Sequence, residues 1–391
     1  MSTTLPPPTA TVPLAEAPRK LPRTVTIRGE QVPVIFPKWG DPRLKLTATI
    51  WTITILGLTV LSFKVSIPQI AVTVLLCGLM EMVYLFHKDR VLAWPASALQ
   101  TGISCAFIFR VSGTQHGDWW SVNGLHYFVF VALISLLPKY LIRHNGRHIF
   151  NPSNIGLAWA LLLIGPSHVF SEHLWWAPLG APILVAFGVI LTGAFFLLRQ
   201  VKMIKMAATF MATISVLIAL FALFGRSYWA TWHDGPVGGS FYWLTVALSP
   251  EMLIFAFFMI TDPQTAPKVR IARYIYAVLT AVVCAGLILP QTTEFGIKVA
   301  ILSSLVLTTA LTPTIDRFGK RLEAKRSGDA DAIAAAAPAA AWPRRLATAA
   351  RNPVLVLITV IALAAPVNTL LLSRDGNVEL IERGLTTRVV Q

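Results

Sequence analysis

A long apolar run ends in the stretch Phe258-Met259-Ile260-Thr261-Asp262-Pro263-Gln264-Thr265-Ala266-Pro267, where an acid, two threonines and two prolines replace the apolar residues. The same Asx-Pro step occurs far upstream, in Ile149-Phe150-Asn151-Pro152-Ser153-Asn154. Asp or Asn before proline is typical of a helix start, because the side chain accepts free amide protons of the first turn and proline has none to satisfy. The two stretches therefore predict helix N-termini at Asn151 and Asp262.

The composition predicts a membrane protein. Of the 391 residues, 55% are hydrophobic and only 13% are charged, whereas charged residues make up about a quarter of a soluble globular protein. The net charge of +15 could indicate nucleic-acid binding, but basic residues in short loops between apolar spans are the usual orientation signal of a membrane protein. We therefore expect the lipid bilayer, and no nucleic acid, as a partner.

Eleven apolar runs approach the length of about 20 residues that a helix needs to cross a bilayer. They lie at 44–63, 67–86, 95–111, 123–141, 152–167, 181–198, 206–224, 241–260, 271–289, 297–315 and 354–372. The fold class that they predict is an all-α polytopic membrane protein. We divide the chain into a flexible basic N-terminal arm (1–43), a membrane core (44–320), an Ala/Pro-rich linker (321–353), and a C-terminal transmembrane helix with a short outer tail (354–391).

The distribution of Lys and Arg predicts the orientation. With the N-terminus inside, most of the 33 Lys and Arg residues fall in inner segments, as the positive-inside rule requires. The remainder are expected in outer loops: Lys64, Arg110, Arg226, Lys298, Arg374, Arg383 and Arg388. No apolar signal-peptide region precedes the first run. We expect a cell inner membrane protein with the N-terminus inside and the C-terminus outside.

Two of the runs are irregular. The fifth is short and ends in Gly165-Pro166, and the eighth is interrupted by Ser249-Pro250-Glu251, which has the form of a cap, a proline and an acidic first turn. Broken helices in membrane proteins often mark a binding site, because their ends direct partial charges at a ligand. A proline kink that only shapes the packing is an equally good interpretation.

Polar residues around the two Asx-Pro steps are candidate ligand-binding residues. By the charge argument, Thr261, Asp262 and Thr265 should lie on the same inner face as Asn151 and Asn154. Two helix N-termini with arginines nearby would attract a phosphate or the pyrimidine edge of a flavin. Simple helix capping is the alternative.

Other chemistry-bearing residues are scattered. Glu81 and Glu251 lie inside apolar runs and are candidates for an ion path, since intramembrane carboxylates are often functional. Cys77, Cys105 and Cys284 lie in apolar runs without a CxxC pattern, which favours packing. No metal site is predicted, because Asn145-Gly146 makes a continuous helix through His144 and His148 doubtful.

Four stretches together resemble the RnfD/NqrB family, the membrane subunits of Rnf and Na⁺-translocating NADH:quinone reductase type electron-transport complexes. They are Phe150 to Gly156, Ile260 to Thr265, Thr312-Pro313-Thr314-Ile315-Asp316-Arg317, and the weaker Ala96-Ser97-Ala98-Leu99-Gln100-Thr101-Gly102. The resemblance covers roughly residues 44 to 320. It implies a ten-helix core with one extra C-terminal helix in this chain, and adds Thr101 and Gly102 to the candidate cofactor-binding residues.

The family carries flavins, and its Nqr branch works with quinone. In the family that the chain resembles, a threonine in the outer loop after the Asn-Pro helix holds FMN covalently. Here that connection, 165–181, contains no threonine, so no covalent FMN is expected. We expect riboflavin or FMN, bound non-covalently if at all.

The sequence leaves three functions open. The first is electron transfer with a non-covalent flavin or a quinone partner, by a component that lacks a complete catalytic set of its own. The second is a channel or transporter for a small polar solute or ion. The third is a structural membrane subunit that docks other electron-transport or membrane subunits.

Overall fold

The computed structural model describes residues 23–144, 146–176 and 180–328. The predicted C-terminal transmembrane helix, most of the linker, and the first half of the N-terminal arm lie outside the described residues.

The described chain is mostly helical, and its helices coincide with the first ten apolar runs. The helices are α1 (Pro42–Thr59), α2 (Ile67–Asp89), α3 (Ala96–Ile108), α4 (Leu125–Leu141), α5 (Pro152–Ile164), α6 (Ala181–Val201), α7 (Ile204–Leu223), α8 (Gly239–Ala247), α9 (Pro250–Ile254), α10 (Arg270–Ile288), α11 (Glu294–Ala310) and α12 (Thr312–Ser327). A π-helical segment, Phe255–Met259, continues α9. The eighth run is thus divided between α8, α9 and the π segment.

Five of the described helices are long and apolar enough to cross a membrane. They are α2, α6, α7, the continuous segment Gly239–Met259 and α10. Helices α11 and α12 make a sixth if they are counted as one span bent by 56°. Helices α3, α4 and α5 are apolar but shorter. These features define a helical membrane protein.

The helices pack closely where glycine replaces a side chain. A Cβ atom on Gly102 of α3 would lie 2.7 Å from the Cα atom of Val74 in α2, and one on Gly156 of α5 would lie 1.7 Å from Ser135 Oγ in α4. Only a residue without a side chain allows these backbones to approach so closely. The cysteines Cys77, Cys105 and Cys284 are all buried and unpaired, as the packing interpretation predicted.

The described residues also contain nine short strands, which the all-α prediction did not include. Strands β1 (Arg23–Ile27), β2 (Glu30–Ile35) and β3 (Leu92–Ala93) form one sheet. Three two-stranded pairs complete the set: β4 (Phe109–Val111) with β7 (Val169–Ser171), β5 (Arg143–His144) with β6 (Arg147–His148), and β8 (Tyr228–Trp229) with β9 (Pro236–Val237).

The β4–β7 pair has a physical reason. Strand β4 follows α3 directly and all three of its residues are buried, so its backbone groups need hydrogen-bond partners within the protein. Antiparallel pairing with β7, in which Val169 and Ser171 are buried, supplies these partners. Strands β1 and β2 also show that the second half of the N-terminal arm contains regular structure.

The predicted helix starts have different outcomes. Asn151 and Ser249 are N-caps, with their side chains accepting from the amides of Asn154 and Met252 respectively. The predicted start at Asp262 is wrong. Its carboxylate accepts from the amide of Gln264 at 2.9 Å and forms a tight turn.

The helix after that turn begins only at Arg270. Its approach is held by Asp316 of α12, whose Oδ1 accepts from the amides of Lys268 at 2.9 Å and Val269 at 3.3 Å. Asp316 thus holds the two residues before α10, and the amide of Ile271 in the first turn donates to Glu323 of the same distant helix at 3.4 Å.

Candidate functional site

A cavity of about 1030 Å³ lies at one end of the helix bundle. The first half of α1, the first turn of α5 and most of the length of α3, from Ser97 to Phe107, surround it. Glu81 of α2, the last turns of α4 and α6, the end of α9, the π segment and the turn at 261–264 complete the wall. Phe36 to Asp41, between β2 and α1, also contribute. We call this space the end cavity.

Most of the predicted site residues lie on its wall. The structure brings together Thr101, Asn151, Thr261 and Asp262 from the candidate cofactor set, and Glu81 from the candidate ion path. The two Asx-Pro steps therefore lie on the wall of one cavity.

Asn151 connects the two steps directly. Its Oδ1 accepts from the amide of Asn154 at 3.2 Å and from the Ser153 hydroxyl at 3.0 Å. Its Nδ2 lies 3.5 Å from the carbonyl oxygen of Met259, the last residue of the π segment. The cap oxygen is thus fully used, whereas the amide nitrogen, which has two protons, makes only one long contact.

Asp262 lies close to His148. The distance from His148 Nε2 to Asp262 Oδ2 is 4.0 Å, and the Thr265 hydroxyl lies 3.5 Å from the same carboxylate oxygen. Burial lowers the pKa of His148, while the charge of Asp262 opposes that shift. The neighbouring Thr261 donates its hydroxyl to the carbonyl of Phe257 at 2.5 Å, so its side chain is used within the π segment.

Three of the seven candidate cofactor-binding residues do not line the end cavity. Asn154 is buried in the bundle, where Nδ2 donates to the carbonyl of Leu302 at 2.8 Å and Oδ1 has no hydrogen-bond partner. Thr265 is buried behind Asp262. Gly102 faces α2 and serves the packing described above.

Charged residues that the sequence did not single out as a site also line the cavity. Lys139 of α4 donates to Glu81 and, at 3.1 Å, to Ser97 Oγ. Arg43 donates to Asp41, and this contact holds the pKa of that carboxyl below its usual value. The pairing of Asp41 with Arg43 could have been found in the sequence, because only Pro42 separates them. The pairing of Glu81 with Lys139 could not, because they come from helices far apart in the chain.

The rest of the wall is largely apolar. Phe107, Ile254, Phe258, Leu197 and Val201 face the same space. An apolar chamber with a few convergent polar groups is the usual form of a small-molecule site. Among the described residues, no group of three or more His, Cys, Asp or Glu side chains could hold a metal ion.

Glu251 lies apart from the end cavity. Its Oε2 is 3.0 Å from Lys298 Nζ, and its Oε1 accepts from the indole nitrogen of Trp176 at 3.2 Å. Lys298 and Arg110, which the sequence placed in outer loops, are both buried in the described structure, and Arg110 pairs with Glu172 at 3.1 Å. The structure therefore corrects the assignment of these two cations and separates Glu81 from Glu251.

The fold and the end cavity define a helical membrane protein with a ligand-sized chamber at one end of its bundle. Residues 180–325, somewhat over a third of the chain, match the family model of the NQR2, RnfD, RnfE family, and this match supports RnfD/NqrB-like family membership. It covers α6 to α12, including the turn at Asp262. No curated protein matches the chain.

Proposed function

We propose that this protein is a membrane electron-transfer subunit whose end cavity binds riboflavin or FMN non-covalently. One observation carries the proposal: Asn151 and Asp262, from motifs 111 positions apart in the sequence, line one cavity beside apolar walls. The family match supports a place in electron transport.

The residues of the cavity fit a flavin in size and chemistry. The volume of about 1030 Å³ lies at the upper end of the roughly 300–1,000 Å³ typical of ligand pockets. Phe107 and Phe258 add aromatic side chains to the wall, which suits an aromatic ring system. Asn151 Nδ2 has a proton available for a ring carbonyl.

The charged groups fit the polar end of such a ligand. Lys38 lines the cavity and makes no ion pair among the described residues, so its ammonium is available to a phosphate or ribityl chain. A bound flavin would supply one- and two-electron transfer. The protein would bind it, orient it through Asn151, and exclude water with the apolar wall.

The orientation of the end cavity is part of the proposal. Arg273 at the start of α10 donates to the carbonyls of Pro267 at 2.9 Å and Lys202 at 3.3 Å, which joins basic segments at this end. By the positive-inside rule we place the end cavity on the inner side of a cell inner membrane, with the N-terminus inside and the C-terminus outside. Other membrane electron-transport subunits are the proposed partners.

The test is purification of the full chain with lipid retained, followed by visible absorption and extraction of the flavin. We expect about one flavin per chain in the wild type and a large loss in Asn151→Ala and Asp262→Asn. Thr209→Ala is a matched control, because Thr209 is half-buried on α7, does not line the end cavity, and donates its hydroxyl only to the carbonyl of Lys205. A wild-type preparation without flavin absorbance, and without a reducible species, would contradict the proposal.

A second candidate function is a channel or transporter for a small polar solute or ion. The Glu81–Lys139 pair on the cavity wall favours it. Loss of solute flux into proteoliposomes on Glu81→Gln, with flavin content unchanged, would support this candidate over electron transfer. The third, a structural docking subunit, predicts co-purification with membrane subunits from native lipid without flavin.

A further inference from the structure

A group of buried charged side chains lies on the other side of the π segment from the end cavity. It consists of Arg110, Glu172, His173, Glu251, Glu294 and Lys298. We call it the buried charge cluster. Charged groups within a membrane protein are costly to bury and are usually functional.

The first half of the cluster is a continuous chain of contacts. Arg110 Nη1 lies 3.1 Å from Glu172 Oε1, and the same oxygen accepts from the backbone amide of His173 at 3.1 Å. His173 Nδ1 lies 2.9 Å from Glu294 Oε2. Glu294 is held further by the amide of Leu174 at 2.5 Å and the indole nitrogen of Trp232 at 3.1 Å.

The second half continues along α11. Glu294 and Lys298 are four residues apart and therefore lie on the same helix face. Lys298 pairs with Glu251, and its charge also interacts with those of Glu294 and Glu172. Tyr228 is a further titratable group beside Glu294.

One member of the cluster is more exposed than the others. The His173 side chain is 22% exposed, whereas those of Lys298 and Glu251 are 4% and 7% exposed. His173 is therefore the member of the cluster most accessible to the medium.

Two observations show that the buried charge cluster has unused hydrogen-bonding capacity. Lys298 Nζ and Glu172 Oε2 are buried without a hydrogen-bond partner, although Lys298 is in ion-pair range of Glu251. A small cavity of about 10 Å³ adjoins Glu251 and Lys298, which is close to the least volume that admits one water molecule. Met259 lines both this small cavity and the end cavity.

The net charge of the cluster allows it to take up one further proton. It contains three carboxylates, two fixed cations and one histidine, so its net charge is −1 with neutral His173 and zero with the imidazolium. A metal cation would meet the like charges of Arg110 and Lys298, and both oxygens of Glu294 are already hydrogen-bonded. Each carboxylate is thus already paired with a group of the protein.

We propose that the buried charge cluster is a proton-exchange site, entered at His173, that takes up one proton and does not take Na⁺ or K⁺. In the tautomer whose Nδ1–H donates to Glu294, the incoming proton binds at Nε2 and gives an imidazolium. Transfer of the Nδ1 proton to Glu294 then leaves a neutral imidazole and a neutral carboxylic acid, one turn of α11 from the Glu251–Lys298 pair. The proposal does not depend on a flavin in the end cavity.

The test is nuclear magnetic resonance of the full chain in lipid, with ¹⁵N-labelled histidine. The chain has eight histidines, and the signal of His173 is identified by its loss in His173→Gln. The pH midpoint of that signal is measured in four further variants: Glu294→Gln, Lys298→Met, the double variant Glu251→Gln with Lys298→Met, and Glu323→Gln. The seven other histidines report whether each variant remains folded.

We expect Lys298→Met to raise the midpoint by at least about one pH unit, since it makes the cluster more negative, and Glu294→Gln to lower it by a similar amount. The double variant should return it close to the wild-type value. Glu323→Gln, on α12, should leave it unchanged. Replacing choline chloride with NaCl or KCl at equal ionic strength should not move the midpoint.

Either of two results would overturn the proposal. One is a midpoint that does not respond to Lys298→Met and Glu294→Gln, which would show that the members of the cluster are not coupled. The other is a midpoint lowered by Na⁺ or K⁺, which would show that a metal cation competes with the proton for the cluster.

Discussion

Asn151 Nδ2 lies 3.5 Å from the carbonyl oxygen of Met259, and so one side chain joins the first turn of α5 to the end of the π segment. The same side chain caps α5 through its oxygen. A π segment leaves its last carbonyls without regular helical partners and is often found at functional sites. Asn151 therefore combines a structural role with a position on the wall of the end cavity.

The two roles of Asn151 are separable by substitution. Asn151→Ala should destabilise the protein by about 0.5–2 kcal/mol, because the cap of α5 is lost, and should also lower the flavin content that we propose for the end cavity. Asn151→Ser retains a capping oxygen but has no amide nitrogen to reach Met259 or a ligand. We expect Asn151→Ser to keep the thermal unfolding temperature near the wild-type value while still losing flavin. Equal flavin content in wild type and Asn151→Ser would show that only the cap matters.

The packing of α3 against α2 can be tested with Gly102→Ala, and Gly188→Ala in α6 is the matched control. Gly102→Ala should destabilise the protein by about 1–3 kcal/mol, since the new methyl group would meet the backbone of α2 at 2.7 Å. Gly188, in α6, has no atom within 4 Å of the site of a Cβ. Gly188→Ala should therefore be neutral or slightly stabilising. Thermal unfolding in lipid measures both, and equal effects would contradict the close approach of α2 and α3.

Hydropathy was sufficient to place the helices. The first ten apolar runs coincide with helical segments because burial in lipid or in a bundle requires apolar side chains along the whole segment. The cap at Asn151 and the break at Ser249-Pro250 were also predictable, since each depends on residues within one turn.

The predictions failed where distant residues decide the structure. Asp262 has the sequence of a helix cap, but Asp316 of α12 holds the approach to α10 instead. Arg110 and Lys298 were assigned to loops because charge near the end of an apolar run usually indicates a loop. Their carboxylate partners are 62 and 47 positions away in sequence, and no local pattern reveals such pairs. The tight association of Glu81 with Lys139 was missed for the same reason.

The free energy of unfolding of the protein should depend on pH through His148, which lines the end cavity. Burial lowers the pKa of His148 in the folded protein from about 6.5 in the unfolded chain, so the unfolded state binds the proton more readily. The contribution of neutral His148 to the free energy of unfolding is therefore complete above about pH 6.5 and is lost as the pH falls below that value.

The measurement is the unfolding temperature in lipid at about pH 8 and about pH 5.5. His148→Gln should reduce the difference between the two temperatures. Asp262→Asn should increase it, because the carboxylate 4.0 Å away stabilises the imidazolium. A difference that is the same in all three proteins would show that another group is responsible.

The Glu251–Lys298 pair should respond differently to single and double substitution. Breaking a buried ion pair leaves one charge without a partner, which typically costs about 3–5 kcal/mol, whereas replacing both charges is often neutral or stabilising. We therefore expect Lys298→Met and Glu251→Gln each to lower the unfolding temperature strongly, and the double variant to recover most of the loss. The Glu81–Lys139 pair provides a comparison, since its side chains are 12% and 11% exposed, against 7% and 4% for Glu251 and Lys298. Because solvent reaches the Glu81–Lys139 pair more easily, replacing either of its residues alone should destabilise the protein less. Additive losses in the Glu251→Gln, Lys298→Met double variant would contradict a direct pairing of these two residues, because independent sites add and coupled sites do not.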